Sequence, residues 1–172
     1  MTARRWARHA VGLLAALVLA AGCTATRLPG AAAIVDGTVI TSQDVATATE
    51  QINSVILDTT QQFTETQTVY WLVIAPFVNA KAASSGRWTP DDAYNTVLAA
   101  IPTPTDATIA VLKARSAADA LTQEDVQQVL GQIGAADIQI DPRFGTIDPK
   151  TGAWSKPDPN WIKPTATQSP TR

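Results

Sequence analysis

Apolar and polar residues alternate at two places along the chain and follow helical spacing between them. Near the first place, apolar arms at residues 34–35 and 38–40 flank Asp36-Gly37. An Asp-Gly pair between apolar arms predicts a β-hairpin, because both central positions of its turn favour positive φ. Far along the chain, residues 138–140 read Ile-Gln-Ile, and this alternation predicts one more short strand.

Helical spacing predicts five helices between these strands. Thr41 with Asp44, and Thr122 with Asp125, have the spacing of a helix N-cap and an acid in the first turn. We therefore expect the first and fifth helices to begin there. The predicted apolar faces contain Val45, Ala48, Ile52, Val55 and Ile56 in the first helix, Tyr94, Val97, Leu98 and Ile101 in the third, Ile109 and Leu112 in the fourth, and Val126, Val129, Leu130 and Ile133 in the fifth.

The middle of the chain predicts one long apolar helix followed by a short one. The long helix extends from Phe63 to Ala83, and its residues 69–74 are apolar all round rather than on one stripe. Such a pattern is typical of a buried central helix. Pro76 is expected to kink this helix, because proline lacks the N–H donor and crowds the preceding turn. Thr89 followed by Pro90 then predicts the N-cap and first position of the third helix.

The two strand predictions imply that the ends of the domain meet. A lone two-stranded hairpin is marginally stable in water, and it needs a third strand or a packed helix. The only other segment with strand alternation is 138–140. The sequence therefore predicts a mostly α fold with a small β element, in which an N-terminal hairpin pairs with a C-terminal strand and the helices lie on one side.

The first residues predict export. Residues 1–22 have a basic start and then an apolar run, which is the pattern of a signal peptide. Residues 19–23, Leu-Ala-Ala-Gly-Cys, resemble the bacterial lipobox, which implies that Cys23 carries lipid and becomes the new N-terminus. An ordinary secretory signal and an uncleaved apolar segment, short for a membrane span, are the alternatives. Two or more acyl chains would anchor the protein stably to the extracytoplasmic face of the cell membrane.

Removal of residues 1–22 changes the available chemistry. His9 and Met1 are the only histidine and the only methionine, and both leave with the signal. With Cys23 lipidated, no thiol or imidazole remains, so we expect no zinc site, no histidine-based catalytic triad, no cofactor and no enzyme activity. Three of the 13 basic residues also leave, and the remaining 10 face 15 acidic ones, a net charge of −5. Nucleic acid is therefore not an expected partner, because its binding needs a basic face.

Composition divides the rest of the chain. A tether at residues 23–30 connects the signal to a helical domain predicted at residues 31–148. A tail at residues 149–172 is rich in proline and poor in aliphatic residues, so it is not expected to build a core. Its tryptophans, Trp154 and Trp161, are expected to pack back onto the domain.

Both ends of the predicted domain resemble the N-terminal chaperone region of SurA-like and PrsA-like extracytoplasmic foldases. Residues 33–41, Ala-Ile-Val-Asp-Gly-Thr-Val-Ile-Thr, are similar to the family's VNG-x-x-I-T opening. Residues 138–145, Ile-Gln-Ile-Asp-Pro-Arg-Phe-Gly, resemble the V-x-P-R-F/Y-G ending of small lipoproteins that share this opening. The resemblance covers residues 32–150 and implies a helical domain that holds unfolded or newly exported polypeptides. Many relatives insert a parvulin-type isomerase domain, for which this chain has no room, so isomerase activity is not expected.

Four aromatic residues are the candidates for contact with a polypeptide partner: Tyr70, Trp71, Phe77 and Trp88. For Tyr70 and Phe77 a core position is the favoured interpretation, because they share a helix face with Ile74. Trp71 and Trp88 fit a core and an exposed surface equally well.

Charged residues give weaker candidates. The acid pairs Asp91-Asp92 and Glu124-Asp125 are explained by helix starts rather than by catalysis. Arg143 is expected to form a structural ion pair where the two ends of the domain meet, and a functional contact is its alternative. Neither observation predicts a catalytic residue.

Two hypotheses about function follow from the sequence. The first is a membrane-anchored chaperone, a holdase that binds segments of exported polypeptides without covalent chemistry. The second is an adaptor or assembly subunit that docks one specific cell-envelope protein through the same surface. A holdase needs an exposed and adaptable apolar groove, whereas an adaptor needs one compact patch with a polar rim. The lack of methionine, the adaptable residue of promiscuous surfaces, slightly favours the adaptor.

Overall fold

The computed structural model describes residues 29–157, which form a mostly helical fold with a small antiparallel sheet. The predicted signal peptide, the lipidation at Cys23 and the position of Trp161 lie outside these residues. The elements are β1 (Ala31–Val35), β2 (Thr38–Thr41), α1 (Ser42–Asn53), α2 (Glu65–Ser85), α3 (Asp92–Ala100), α4 (Asp106–Ala118), α5 (Gln123–Ala135), β3 (Ile138–Ile140), β4 (Thr146–Ile147) and β5 (Trp154–Ser155). Among these helices, none is both long and apolar enough to cross a membrane.

The two ends of the domain meet in one sheet, as predicted. Its strand order is β2-β1-β3, and both pairings are antiparallel. Ile34 lies opposite Val39 on one side and opposite Gln139 on the other. The turn of the hairpin has φ values of 47° at Asp36 and 81° at Gly37, the positive values that an Asp-Gly loop favours. The predicted pairing of the hairpin with residues 138–140 is confirmed.

The helix starts at Thr41 and Thr122 are also confirmed. The hydroxyl of Thr41 accepts a hydrogen bond from the backbone N–H of Asp44 at 3.0 Å, and the Asp44 carboxylate accepts from the N–H of Thr41 at 3.0 Å. Thr122 and Asp125 form the same reciprocal pair at the start of α5. Each pair satisfies two backbone donors that the first helical turn leaves without a partner.

α2 is the central helix of the fold. Residues Val69, Leu72, Val73, Ile74, Ala75 and Val78 of α2 are all buried. The helix continues without interruption from Glu65 to Ser85, with Pro76 on its exposed side. Proline removes one backbone donor from the helix, and the helix is not broken there.

The start of α3 differs from the prediction. Asp91 is the N-cap, and its carboxylate accepts a hydrogen bond from the backbone N–H of Tyr94 at 2.7 Å. Thr89 is therefore not the cap, and Pro90 precedes the helix rather than occupying its first position. A carboxylate caps a helix as well as a hydroxyl does, and Asp91 is the residue that reaches a free N–H.

Two hydrophobic clusters lie along α2. The first joins the sheet, α1 and the first half of α2, and it includes Val35, Val45, Ile52, Val73 and Phe144. The second joins the later half of α2 to α4 and α5, and it includes Ile74, Val78, Ala114, Val129 and Ile133. Because α4 contributes Val111 to the first cluster and Ala114 and Ala117 to the second, α4 runs parallel to α2.

A second small sheet forms after β3. Thr146 and Ile147 of β4 pair with Ser155 and Trp154 of β5 in antiparallel register. This hairpin spans the boundary predicted between residues 148 and 149, so the first residues of the Pro-rich segment pack on the helices.

Candidate functional site

The four candidate aromatic residues do not form one surface. Tyr70 and Trp71 contact each other at a ring-centroid distance of 5.4 Å, and Trp154 lies 5.6 Å from Tyr70. Trp88 instead contacts Tyr94, with centroids 5.4 Å apart. All of these rings are half-buried. The structure thus places Tyr70 and Trp71 in the first half of α2, Phe77 in its later half and Trp88 beyond its end.

Phe77 and Trp71 are structural in large part. Both are half-buried, and both pack against each of the two hydrophobic clusters. Tyr70 packs against the second cluster, and burial raises the pKa of its hydroxyl. A tyrosine in this position stays neutral, because ionisation would require a charge in a poorly hydrated place.

Trp88 is held in one orientation by three contacts. Its indole Nε1 donates a hydrogen bond to the Ser116 hydroxyl at 2.9 Å. The Lys113 ammonium lies 5.5 Å from the ring centroid, within the range of a cation–π interaction. Tyr94 meets the ring edge-on at an interplanar angle of 89°. Trp88 is therefore a partly exposed ring whose position is fixed before any partner arrives.

α3, which carries Tyr94, is an apolar helix with no buried residue. Six of its nine residues, in the sequence DAYNTVLAA, are apolar. Tyr94 and Leu98 are half-buried against α4, and Val97 keeps 37% of its surface exposed. We name the surface formed by Trp88, Tyr94, Val97 and Leu98 the α3 patch.

Sequence reasoning identified Trp88 but treated its neighbours as an ordinary amphipathic face. The short length of α3 and the prolines on either side of it were the signal that its apolar residues would not be fully buried. A nine-residue helix is too short to be stable alone. Pro90 and Pro102 on either side prevent it from becoming longer.

A buried acid fixes the end of α2 beside the α3 patch. Asp125 is only 4% exposed. Its carboxylate forms an ion pair with the Lys81 ammonium, at 3.0 Å between Nζ and Oδ1, and a second ion pair with the Arg87 guanidinium. The hydrogen bond from the Thr122 hydroxyl, with help from Lys81 and the charge of Arg87, holds the pKa of Asp125 well below its usual range despite burial. Helix-start chemistry therefore accounts for only part of the role of Asp125, since the same carboxylate also ties α5 to the end of α2.

Arg143 lies at the opposite end of the domain. Its guanidinium donates to the Ser42 hydroxyl, lies 3.6 Å from the Asp141 carboxylate and stacks on the Phe144 ring at 4.5 Å. The predicted ion pair is thus local, with Asp141, and the contact that joins the two ends of the domain is the one to Ser42. An open groove of about 420 Å³ beside it has a mixed polar and apolar lining.

The start of the described chain lies near the start of α2, and Trp88 of the α3 patch follows the end of that helix. Ser42 donates two hydrogen bonds to the Gly30 carbonyl, from its N–H at 2.7 Å and from its hydroxyl at 2.9 Å. The groove beside Ser42 reaches Glu65 at the start of α2, whereas Arg87 and Trp88 follow its end. With 21 residues and a rise of 1.5 Å per residue, α2 separates the two ends by about 30 Å.

The α3 patch offers noncovalent contact rather than covalent chemistry. Its side chains are two aromatic rings and two aliphatic groups with a lysine beside them. Residues 29–157 contain no group of three or more His, Cys, Asp or Glu side chains placed to hold a metal ion. What this arrangement can do is bury apolar groups of another molecule and stack on its aromatic rings.

Neither a family model, nor a curated protein, nor a solved structure matches this chain. The resemblance to SurA-like and PrsA-like chaperone domains therefore stays a prediction from two short motifs.

Proposed function

We propose that this protein is a membrane-anchored lipoprotein that holds exported polypeptides by binding their apolar segments at the α3 patch. The observation that supports this most directly is α3 itself, an apolar helix in which no residue is buried. An apolar surface that a fold leaves open is stabilised by whatever apolar group covers it. The proposal includes no isomerase activity.

The size of the α3 patch sets the strength of binding. Covering a Leu or Phe side chain of a client contributes about 1.5–3 kcal/mol. Three such side chains give roughly 5–9 kcal/mol before the costs of ordering both molecules are subtracted. Because those costs are about 4 kcal/mol or more, the net value is at most about 5 kcal/mol, which corresponds to a dissociation constant no tighter than about 0.2 mM. Weak and reversible binding of this kind suits a protein that must release its client.

The predicted tether supports the same function. From Cys23 to Gly30 the chain extends at most about 25 Å, at roughly 3.5 Å per residue. With so short a tether, the domain and its α3 patch would stay close to the bilayer. A polypeptide that emerges from the membrane would meet it there.

An adaptor for one envelope protein is the second candidate, and the geometry of Trp88 favours it. A ring fixed by Ser116, Lys113 and Tyr94 is pre-organised. Pre-organised anchors of this kind are typical of interfaces with one defined partner, whereas adaptable surfaces bind many. The two candidates share a site and differ in the range of partners.

The experiment compares two exposed valines. Val97 on α3 is 37% exposed and Val126 on α5 is 38% exposed. We expect soluble protein that begins at Thr24 to suppress aggregation of a chemically unfolded substrate. Val97→Asp should weaken this suppression, because it places a charge on the binding surface, and Val126→Asp should not. Equal loss in both variants, or in neither, would remove the α3 patch as the site.

Further outcomes separate the candidates. No suppression of any unfolded substrate, together with tight binding to one folded envelope protein, would replace the holdase by the adaptor. Faster proline-limited refolding in the same assay would contradict the absence of isomerase activity. The Cys23→Ala variant should be released from the membrane or left unprocessed. If it is processed to the mature size and still stays in the membrane, the lipid anchor is contradicted.

A further inference from the structure

The segment at residues 148–155, which we name the strap, folds back across α5. A Cβ atom added at Gly134 would lie 2.7 Å from the Pro149 carbonyl oxygen, and one added at Gly152 would lie 2.5 Å from a methyl group of Leu130. Gly152 also has a φ of 66°, which glycine adopts without strain. Both glycines therefore allow the strap to lie directly on α5.

Beyond α5 the strap places Trp154 on α2. The ring of Trp154 meets Tyr70 edge-on, at 5.6 Å between centroids, and Tyr70 meets Trp71 in the same way. Gly145 leaves the space that the indole occupies, since a Cβ there would lie 2.9 Å from Nε1. Trp154 thus packs on the Tyr70 ring, which itself contacts Trp71, and it also packs against the first hydrophobic cluster.

Few interactions hold the strap closed. β4 and β5 are two residues long each, and a two-stranded pair of this length is marginal without other support. The Asp148 N–H donates to the Ala153 carbonyl at 2.8 Å, and the Gly152 N–H donates to the Asp148 carbonyl at 2.8 Å. Opening the strap breaks a short hairpin and the contacts of one large ring, and it leaves the three-stranded sheet intact.

The indole of Trp154 is buried at the cost of one unsatisfied hydrogen-bond donor. Its Nε1 atom is buried and has no hydrogen-bond acceptor among residues 29–157. A buried donor without an acceptor loses its hydration and gains nothing in return. A phenylalanine or leucine side chain in the same place would carry no such cost.

We propose that the Tyr70–Trp71 surface is a second binding surface for extended polypeptide segments, and that Trp154 of the strap occupies it in the absence of a client. The client segment would be a short strand with an aromatic or large aliphatic side chain, because the strap itself is of that kind. This inference rests on the proposed function, since it assigns a second surface to the same class of ligand. The strap acts as an intramolecular competitor that a client displaces.

The test uses the full soluble chain and a defined probe. The probe is a fluorescent peptide with the sequence of residues 148–156 and the change Trp154→Phe. We expect Trp154→Ala to raise the affinity of the protein for this peptide roughly tenfold, which corresponds to a strap closed about nine-tenths of the time. The matched variant Trp154→Phe keeps an aromatic ring and removes the unpaired donor, so it should bind the peptide more weakly than wild type.

A second pair of variants opens the strap without changing Trp154. Gly152→Ala introduces a side chain against Leu130 at a positive φ and should also raise the affinity for the peptide. Gly131→Ala is its control, because a Cβ at Gly131 meets nothing within 4 Å. Unchanged peptide affinity in both Trp154→Ala and Gly152→Ala, in proteins whose thermal midpoints show that the strap contacts are lost, would overturn the proposal.

Failure of this inference is distinguishable from failure of the α3 patch. The gain in peptide affinity that Trp154→Ala produces should persist in the Val97→Asp background, because Val97 lies on α3 and not on the Tyr70–Trp71 surface. Peptide binding that Val97→Asp abolishes would show that the peptide binds α3 and would overturn the assignment to Tyr70 and Trp71.

Discussion

α2 and α3 are both apolar helices, yet the fold buries one and leaves the other open. α2 packs against α1, α4, α5 and β1, and eight of its residues are buried. α3 packs mainly on α4, and none of its residues is buried. Both helices have enough apolar residues to be buried. The number of elements that pack around each helix decides how much of it is buried.

The boundaries of the two helices explain the difference. α2 is 21 residues long and is closed by a capping box at Thr64 and Gln67 and by Gly86 in a left-handed conformation. Its length allows neighbours on several sides. α3 is nine residues long, lies between Pro90 and Pro102, and has room for one neighbour. The stability of the domain should therefore depend on α2, and the proposed binding of clients on α3.

The largest expected effect comes from removing the strand that closes the core around the first half of α2. Deletion of residues 136–145 removes β3, which is hydrogen-bonded to β1 from Ala33 to Val35, and Phe144 of the first cluster. We expect this variant to lack a cooperative thermal transition, while deletion of residues 158–172 keeps the wild-type midpoint. Equal midpoints for wild type and the first deletion would show that closure of the termini does not stabilise the domain.

A smaller effect separates two leucines on the two helices. Leu72 of α2 is 7% exposed, and Leu98 of α3 is half-buried. We expect Leu72→Ala to lower the free energy of unfolding by about 3 kcal/mol, within the range for core leucines. Leu98→Ala should lower it by less than about 1 kcal/mol. Denaturant titration measures both, and equal losses would mean that α3 is as much a part of the core as α2.

The third prediction concerns the pH dependence of the contact that ends α2. The folded-state pKa of Asp125 lies below its ordinary value of 3.8, so its charge stabilises the fold above that pH and the contribution is lost as the pH falls. Between about pH 5 and about pH 2, the thermal midpoint of Asp125→Asn should fall less than that of wild type.

Asp92 on α3 supplies the control for this measurement. It is exposed and has no ion-pair partner within 4.0 Å among residues 29–157. Asp92→Asn should therefore follow the wild-type profile. A wild-type profile for Asp125→Asn as well would show that the ion pairs with Lys81 and Arg87 do not stabilise the fold.

Local signals predicted much of this fold. The helix starts at Thr41 and Thr122 were predictable because a capping box is completed within four residues. The meeting of the termini was predictable for a different reason, since a hairpin at 34–40 needed a third strand and only 138–140 had the pattern for one. In both cases a short segment contained the physical requirement that the structure satisfies.

Contacts between distant segments were not predictable in this way. The sequence explained Asp125 by its own helix, because Lys81 and Arg87 are about 40 residues away and only the packing of α5 on α2 joins them. Thr89 and Asp91 were both possible caps for α3, and geometry decided between them. Of the candidate site, Trp88 was identified from residue type, but its separation from Tyr70 and Trp71 depends on the length of α2.

The position of Gly30 determines how the fold responds to mechanical force. A pull on the chain that precedes Gly30 enters the domain at Ala31, the first residue of β1. Since β1 is the middle strand, its hydrogen bonds to β2 and β3 share the load, and no edge strand is peeled away. The two hydrogen bonds from Ser42 to the Gly30 carbonyl resist the same pull one residue earlier. If the proposed anchor and holdase function are right, the domain would be loaded through the strand with the most lateral support.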